Sequence, residues 1–201
     1  DFEKFNSSCH RMRRFIPTVQ GPAKRTPGTR HVLPVRDSSK RVWLRRFEFS
    51  YDQAYIIEFG DLYVRFYTDR GVVLESAQNI SGITAATPGV LTYAGADPSN
   101  GDWFYLSGIG GMTELNGRYV VVANVDTGAN TFELTDTDGN DIDTSAFTAY
   151  TAGGTMQRVY TVASPYALAD LTNGEGACSL SITQSGDVLY IGCPGYQPRT
   201  L

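Results

Sequence analysis

The sequence predicts a mainly β protein: an antiparallel hairpin meander with a short N-terminal helix and an extended basic arm, plus an inserted small β-barrel or sandwich. Three observations lead to this prediction. Runs rich in Val, Ile, Phe and Tyr alternate with short turn signals. Residues 79–158 shift in composition to Thr, Gly, Ala and Asp, and residues 1–40 are rich in Pro, Gly and cations. A hydrophobic content of 41% in 201 residues is ordinary for a globular protein.

The first segment, residues 1–17, has the spacing of one face of a helix. Its apolar residues recur three and four positions apart; they are Phe2, Phe5, Cys9, Met12 and Ile16. Pro17 ends the predicted helix. Prolines and glycines recur through residues 17–40 and argue against a regular element there. We therefore predict an extended basic arm that completes a first region, residues 1–40.

The next region, residues 41–78, is predicted to form a meander of hairpins. Its strand candidates are "RVWLRRFEFS", "AYIIEFG", "LYVRFYT" and "VVLES", and the turn signals "SYDQ", "GD" and "TDRG" separate them. Aromatic residues on both faces of residues 62–67 predict that each face is covered, by the same fold or by another subunit. Residues 159–201 complete this body with a short turn or helix in "ASPYALADL" and two further hairpin strands.

Residues 79–158 are predicted to be a separate small β-barrel or sandwich inserted into the body. Only two cations face nine acidic residues there, which gives a net charge of −7. Strand candidates recur at short intervals with Gly and Asn turns between them, at residues 89–92, 103–107, 118–124, 131–135 and 155–162. Trp103 and Tyr105 lie in one of these strands, where they are either packing residues or a pair that stacks on a sugar.

Charge is unevenly distributed along the chain. Residues 1–50 carry 12 of the 17 Lys and Arg and a net charge of +8, whereas the rest of the chain carries −12. A basic arm on an acidic body predicts an anionic partner, either nucleic acid or an acidic neighbouring subunit. The candidate contact residues are Arg13, Arg14, Lys24, Arg25 and Arg30. We favour docking between subunits, because the rest of the chain is acidic and a neighbouring copy would offer the arm an anionic surface.

The sequence contains no recognisable catalytic constellation, so we predict that the protein is not an enzyme and needs no cofactor. His10 and His31 belong to no set of nucleophile, base and carboxylate. The cysteines Cys9, Cys178 and Cys193 form no CxxC pair and are predicted to be free thiols. The sequence contains no run of about 18 apolar residues, so it predicts no membrane-spanning helix. A chain that opens on Asp1 rather than Met is expected to be a fragment or a processed product.

The stretch "TDTDGNDIDT", residues 135–144, is the strongest candidate for an ion site. Asp136, Asp138 and Asn140 stand at the first, third and fifth positions of a calcium loop. Such a loop needs Gly at the sixth position and Glu at the twelfth, where this chain has Asp141 and Phe147. The Asp-Gly dipeptide at residues 138–139 is typical of a tight hairpin turn. A turn is therefore favoured, with an irregular calcium site as the alternative.

Four segments of the chain form an ordered set, namely "FIPTVQGPAKRTPGTRHV", "LRRFEFSYDQAYIIEFGDLYVRFYTDRGVV", "ASPYALADL" and "QSGDVLYIGCPGYQPRTL". Together they resemble the N-terminal part of tail nozzle proteins, also called tail tubular or tail hub proteins, of short-tailed bacteriophages. The resemblance implies a virion protein that is assembled in the host bacterial cytoplasm. It further implies six copies in a ring below the portal and adaptor, with other tail proteins as partners and double-stranded DNA passing through without sequence specificity. Members of the family are much longer, so this chain would be their first part.

The insert carries a second resemblance. The motifs "GMTELNG" and "NTFELTDTDG" are similar to the small β-barrel found as the first catalytic-cysteine half-domain of ubiquitin-activating enzymes, a module that recurs in phage structural proteins. Residues 79–158 contain no cysteine, so this resemblance implies a fold and no ubiquitin chemistry. The predicted function is a structural subunit of a phage tail. The alternatives are a carbohydrate- or receptor-binding tail module and, last, a cell-wall hydrolase.

Overall fold

The computed structural model describes residues 15–17, 23–25, 28, 31–48, 50 and 53–201. The chain divides into two compact units, Asp1–His31 and Val32–Leu201. The strands are β1 (Phe15–Pro17), β2 (Ala23–Arg25), β3 (Trp43–Glu48), β4 (Ala54–Gly60), β5 (Tyr63–Thr68), β6 (Gly71–Val72), β7 (Gln78–Ile83), β8 (Val90–Ala94), β9 (Trp103–Gly110), β10 (Tyr119–Asp126), β11 (Thr131–Thr135), β12 (Ala152–Arg158), β13 (Thr161–Ala163), β14 (Ser181–Ser185), β15 (Val188–Gly192) and β16 (Arg199–Thr200). A 3-10 helix covers Thr113–Leu115 and the α-helix α1 covers Leu168–Leu171. The described chain is mainly β, as predicted.

The first unit contains a two-stranded hairpin. Strands β1 and β2 pair antiparallel, with Phe15 opposite Arg25 and Pro17 opposite Ala23. Most of the predicted N-terminal helix, residues 1–14, lies outside the described residues. Its predicted end is wrong, because residues 15–17 are a strand, and the arm contains a regular element where none was predicted. Phe and Ile favour extended backbone, and a two-stranded hairpin consists of edge strands, where proline is tolerated.

The body of the second unit is an antiparallel sheet in the order β13-β5-β4-β3, with β6 paired to β5. Strands β4 and β5 form a hairpin from Ile56 opposite Tyr67 to Gly60 opposite Tyr63. The "TDRG" signal is a two-residue turn in which Asp69 has φ 47° and Arg70 has φ 66°. Positive φ at both central positions matches the right-handed twist of the flanking strands. The predicted hairpin meander is confirmed.

Both faces of β5 are covered, and the cover comes from the same unit. Val64 packs on one face in an apolar cluster with Tyr166 and Leu171. Arg65, the next residue, faces the other side, where its guanidinium carbon lies 4.3 Å from the centre of the Trp103 ring. Successive side chains of a strand alternate between its faces, so a strand covered on both sides carries few exposed positions. The prediction that each face is covered is confirmed.

Strands β7 to β12 close into an antiparallel barrel in the order β10-β11-β8-β7-β12-β9. The inward positions alternate along the strands, with Val120 and Val122 of β10 and Phe132 and Leu134 of β11 all buried. Closure leaves no free sheet edge in the barrel. Of the two predicted architectures for the insert, the barrel is the one that forms.

The barrel joins the sheet through a small apolar cluster. Val72 of β6, Trp103 of β9 and Val159, which follows β12, are buried together. Val159 also forms an isolated antiparallel bridge with Leu74. The two chain segments that enter and leave the barrel therefore lie side by side, and they position the barrel against one face of the sheet.

The end of the chain covers the opposite face of the sheet. Strands β14, β15 and β16 form a three-stranded antiparallel sheet, and its residues Leu189 and Ile191 belong to the cluster that contains Ile57 and Phe59 of β4. No disulfide joins Cys178 and Cys193 in the described structure, and Cys9 lies outside the described residues. None of the helices in the described ranges has the length and apolar character needed to cross a membrane.

Candidate functional site

The structure places two of the five predicted arm cations. Lys24 and Arg25 lie on β2 and are exposed, opposite Ile16 and Phe15 of β1. The exposed fractions of Ile16 and Phe15 are 51% and 48%. Each cation therefore neighbours an exposed apolar side chain, an arrangement suited to a partner that is both acidic and apolar. The other three candidates, Arg13, Arg14 and Arg30, lie outside the described residues.

Two of the cations counted in residues 1–50, Lys40 and Arg41, are held by the second unit itself. Arg41 donates to the carbonyl of Gly176 at 2.7 Å, and its guanidinium lies 5.9 Å from the centre of the Trp43 ring. Lys40 contacts Asp61 at 2.7 Å. The charge of Lys40 is thus neutralised by Asp61 and the side chain of Arg41 is engaged within the body, so the sequence count overstates the charge offered to a partner.

The outer end of the sheet carries an uncovered apolar face. Strand β3 is the edge strand, and Arg46 of β3 stands opposite Ile56 of β4 in the register. Leu44, two residues before Arg46, lies on the same face. Leu44 is 60% exposed and Ile56 is 40% exposed. We call Leu44, Arg46 and Ile56 the edge face, a surface that nothing in the described part of the chain covers.

An apolar groove lies on the opposite side of the same strands. Its volume is about 220 Å³. The residues that line it are Phe47, Tyr55, Ile57, Phe66, Asp187, Leu189 and Leu201. Phe47 and Tyr55 form its aromatic wall, with ring centres 6.4 Å apart. The final hairpin contributes Asp187 and Leu189 to this lining, but it covers this end of the sheet only in part, because Phe47 and Tyr55 stay half-buried.

The acidic stretch, residues 135–144, forms a hydrogen-bonded turn. Gly139 has φ 87° and its N–H donates to the carbonyl of Asp136 at 3.1 Å. The Asp136 Oδ1 atom accepts the N–H groups of Asp138 and Asn140, both at 2.9 Å. Burial raises the pKa of Asp136, but the hydrogen bonds from Asn140, Asp138 and Gly139 outweigh it and hold that pKa below its usual value. The carboxylate of Asp136 is thus engaged by its own loop.

Metal-ligand geometry is not present at this turn in the described structure. No group of three or more His, Cys, Asp or Glu side chains within the described ranges is arranged to hold a metal ion. Of the predicted ligands, Asn140 donates its side-chain amide to Asp136 Oδ2 at 3.1 Å. Asp138 lies at the exposed tip. The three candidate residues therefore meet in one turn, where Asp136 serves as the hydrogen-bond acceptor that closes it.

Acid should weaken this part of the barrel through Asp143, at the end of the same stretch. Hydrogen bonds from Ser145 and Thr87 lower the pKa of Asp143 from 3.8 to about 2. A carboxyl whose pKa is lower in the folded state stabilises the fold above pH 3.8, and this contribution is lost as the pH falls towards 2. We expect the difference in unfolding free energy between wild type and Asp143→Asn to shrink over that window, measured by urea unfolding at each pH.

A variant that removes only one hydrogen-bond donor to Asp143 serves as the control for this prediction. Thr87 donates its hydroxyl to Asp143 Oδ1 at 2.5 Å, and Ser145 donates its N–H at 2.9 Å. Thr87→Val removes one of these donors, so its pH dependence should lie between those of wild type and Asp143→Asn. A pH dependence of Asp143→Asn that equals the wild-type dependence would contradict the proposed contribution.

Trp103 and Tyr105 pack within the protein, and their alternative role as a sugar-stacking pair has no open platform here. Trp103 is 3% exposed and lies against the guanidinium of Arg65. Tyr105 is half-buried, and its ring centre lies 5.1 Å from that of Tyr119. The indole and the phenol therefore pack within the protein, as their place in a β-strand favours. A polar cleft of about 750 Å³ opens nearby, between residues 36–42 and the turn that contains Asp138.

A buried polar cluster lies under the barrel, and the sequence did not predict it. Glu58 is 2% exposed, and its two carboxylate oxygens accept the hydroxyls of Tyr63 and Tyr67, each at 2.6 Å. Burial, followed by the bond to Glu58, raises the pKa of both tyrosines. Arg65 stands opposite Glu58 in the register and is 1% exposed. The signal was a charged residue inside each apolar strand, in "AYIIEFG" and "LYVRFYT".

Comparison with known proteins adds no family assignment. The chain matches no protein-family model and no curated protein sequence.

Proposed function

We propose that this chain is a structural subunit of the tail nozzle, or hub, of a short-tailed bacteriophage, and that its biochemical act is assembly. The observation that carries the proposal is the uncovered end of the sheet, where the edge face and the apolar groove lie on opposite sides of β3 and β4. The "FEFSYDQAYIIEFGDLYVRFY" hairpin that builds these strands also carries most of the resemblance to the tail proteins.

Burial of the edge face and groove supplies the energy for association. Fully burying one aliphatic side chain stabilises a contact by about 1.5–3 kcal/mol. Leu44 and Ile56 offer such burial on one side, and Phe47 and Tyr55 offer it on the other. A strand edge flanked by two apolar surfaces suits a subunit that contacts neighbours on both sides, which is the requirement of a closed ring.

Charge complementarity supports a docking role for the basic arm. The exposed Lys24 and Arg25 belong to the first unit, and residues 79–158 carry a net charge of −7. The arm of one copy is therefore matched in charge to the barrel of the next. In this proposal six copies surround a channel for double-stranded DNA below the head–tail adaptor, and the protein resides in the virion without acting as an enzyme.

Electron microscopy of the purified protein tests this function. We expect rings with six-fold symmetry and an axial channel. A protein that stays monomeric at all concentrations and binds host polysaccharide on a glycan array would instead favour the receptor-binding alternative. Tight binding of duplex DNA at physiological salt would shift the role of the arm from docking to phosphate contact, because phosphate contacts are strongly salt-dependent.

The edge face gives a specific prediction about assembly. Leu44→Asp places a charge where an apolar contact is proposed, so association should weaken by at least about tenfold, the equivalent of roughly 1.4 kcal/mol. Light scattering coupled to size-exclusion chromatography measures the loss of the oligomer. Leu62→Asp is the matched control, because Leu62 is 53% exposed but lies in the β4–β5 turn, outside the edge face and the groove. Equal loss in both variants would contradict a specific role for the edge face.

A further inference from the structure

A small polar cavity lies where the barrel meets the sheet. Its volume is about 110 Å³. The residues that line it are Arg36, Arg65, Glu75, Gly101, Asp102, Trp103, Arg158, Val159 and Thr161. Three guanidinium groups thus converge from separate elements: the segment before β3, strand β5, and the end of β12. Two carboxylates accompany them, so the charged lining carries one more positive charge than negative charges.

Arg65 is the most buried of the three arginines that line this cavity. The residue is 1% exposed, and its Nε and Nη1 atoms are buried without a hydrogen-bond partner among the described residues. Its guanidinium lies 4.3 Å from the centre of the Trp103 ring and 5.3 Å from that of Tyr63. The aromatic rings stabilise the faces of the cation, but they accept no hydrogen bond from its N–H edge.

The nearby carboxylates are engaged by other donors. Glu58 accepts hydroxyls from Tyr63 and Tyr67 at 2.6 Å. Asp102 accepts the N–H of Ser99 at 2.8 Å, and its Oδ2 atom lies 3.3 Å from Nε of Arg158. Glu58 also offsets the charge of Arg65, but it is not among the residues that line the cavity. Arg65 lines the cavity, and the Nε and Nη1 atoms of its N–H edge have no hydrogen-bond partner among the described residues.

Leaving that edge unsatisfied would be costly. A buried polar group without a hydrogen bond is strongly disfavoured, and a buried charge more so. Burial lowers the pKa of Arg65, yet an arginine side chain keeps its proton in proteins. The cavity has space for roughly three to four water molecules at about 30 Å³ each. A compact anion that accepts several hydrogen bonds meets both the charge and the geometry of the site.

We propose that this cavity binds one small tetrahedral oxyanion, such as inorganic phosphate or sulfate, with Arg65 as the buried donor and Arg36 as a second, more accessible one. The planar guanidinium presents parallel N–H groups that match two oxygens of such an anion. Arg36 is an exposed residue whose backbone N–H contacts the Tyr63 hydroxyl at 3.3 Å. The bound anion would join residues of the sheet and of the barrel, and so stabilise their packing.

Calorimetric titration of the full chain with sodium phosphate, and separately with sodium sulfate, tests the proposal. Sodium chloride at matched ionic strength is the reference. We expect saturable binding of the oxyanions and a midpoint of thermal unfolding that rises with their concentration, since a ligand that binds only the folded state stabilises it. Heat and thermal shifts no greater than those produced by sodium chloride would overturn the proposal and leave the cavity as a site for water alone.

Two variants and a matched control assign the binding to the cavity. Arg65→Met should abolish phosphate binding, and Arg36→Gln should weaken it by about tenfold, the usual scale for losing one charge-assisted hydrogen bond. Arg36 is exposed, so we expect Arg36→Gln to fold. This variant can therefore test the proposal even if Arg65→Met does not fold. Arg70→Gln changes an exposed arginine in the β5–β6 turn and should bind as wild type does. Equal weakening by Arg36→Gln and Arg70→Gln would place binding elsewhere and overturn the assignment.

Discussion

Phe132→Ala is expected to lower the free energy of unfolding by about 3–5 kcal/mol, the usual cost of truncating a buried aromatic ring to alanine. Phe132 is fully buried in the barrel. Its ring centre lies 5.9 Å from that of Tyr93 and 6.0 Å from that of Phe104, so the truncation removes two aromatic contacts as well as apolar burial. Urea unfolding followed by circular dichroism measures the change.

The same truncation at an exposed phenylalanine is the control. Phe15, on β1, is 48% exposed, so Phe15→Ala should change the free energy of unfolding by no more than about 0.5 kcal/mol. A cost below about 1 kcal/mol for Phe132→Ala would contradict the barrel core described here, because a well-packed interior cannot absorb a cavity of that size without loss.

Gly111→Ala is expected to destabilise the barrel by roughly 2–5 kcal/mol, through backbone strain and steric overlap. Gly111 has φ 80°, a left-handed conformation that costs other residues energy. A Cβ atom at this position would overlap the carbonyl oxygen of Ala149 and lie 2.9 Å from the amide nitrogen of Thr151. Both neighbours are backbone atoms, so relief requires the 149–151 segment to move. Thermal and urea unfolding both report the loss.

Gly117→Ala separates the effect of backbone strain from the effect of steric overlap. Gly117 also has φ 80°, but a Cβ atom there would have no atom within 4 Å. This variant should therefore show only the strain of the left-handed backbone, about 1–2 kcal/mol. The difference between the two variants measures the overlap with the 149–151 segment. Equal destabilisation would mean that this segment yields freely and that its packing against Gly111 contributes little.

The strands and turns were largely predictable from local sequence. The "LYVRFYT" and "AYIIEFG" runs form the central hairpin, and "TDRG" forms the expected two-residue turn. The turn at Asp138 and Gly139 also follows from its dipeptide, since glycine is the residue that adopts positive φ without strain. These strands and turns depend on residues that are adjacent in the chain, so a short stretch of sequence is enough to predict them.

The N-terminal segment shows where local patterns mislead. Apolar spacing predicted that a helix reaches Pro17, but residues 15–17 pair with Ala23–Arg25 as a hairpin. The last residues of a periodic pattern carry little helical preference, because a helix end lacks half of its hydrogen bonds. Phe15 and Ile16 also favour extended backbone. Pairing with a nearby strand gives hydrogen bonds to backbone N–H and C=O groups that would have no partner at a frayed helix end.

Some candidate sites were also predictable from local sequence, whereas others appear only in the tertiary structure. Sequence identified the exposed cations Lys24 and Arg25 and the acidic turn at Asp136, which are surface features that composition reveals. It could not identify the Arg65 cavity, because Arg36, Arg65 and Arg158 are far apart in the chain and meet only where the barrel contacts the sheet. A charged residue within an apolar strand marks an anomaly, but its partners depend on long-range packing.

The sequence by itself determined the fold class, the strand and turn positions, and the separation of a basic arm from an acidic insert, because alternation, turn chemistry and charge are local properties of the chain. Only the tertiary structure decided that the insert closes as a barrel, that Trp103 is buried against Arg65, and that Leu44 and Ile56 stay exposed at the sheet edge. Which face of a strand is covered depends on elements distant in sequence, and the pattern of the strand does not specify them.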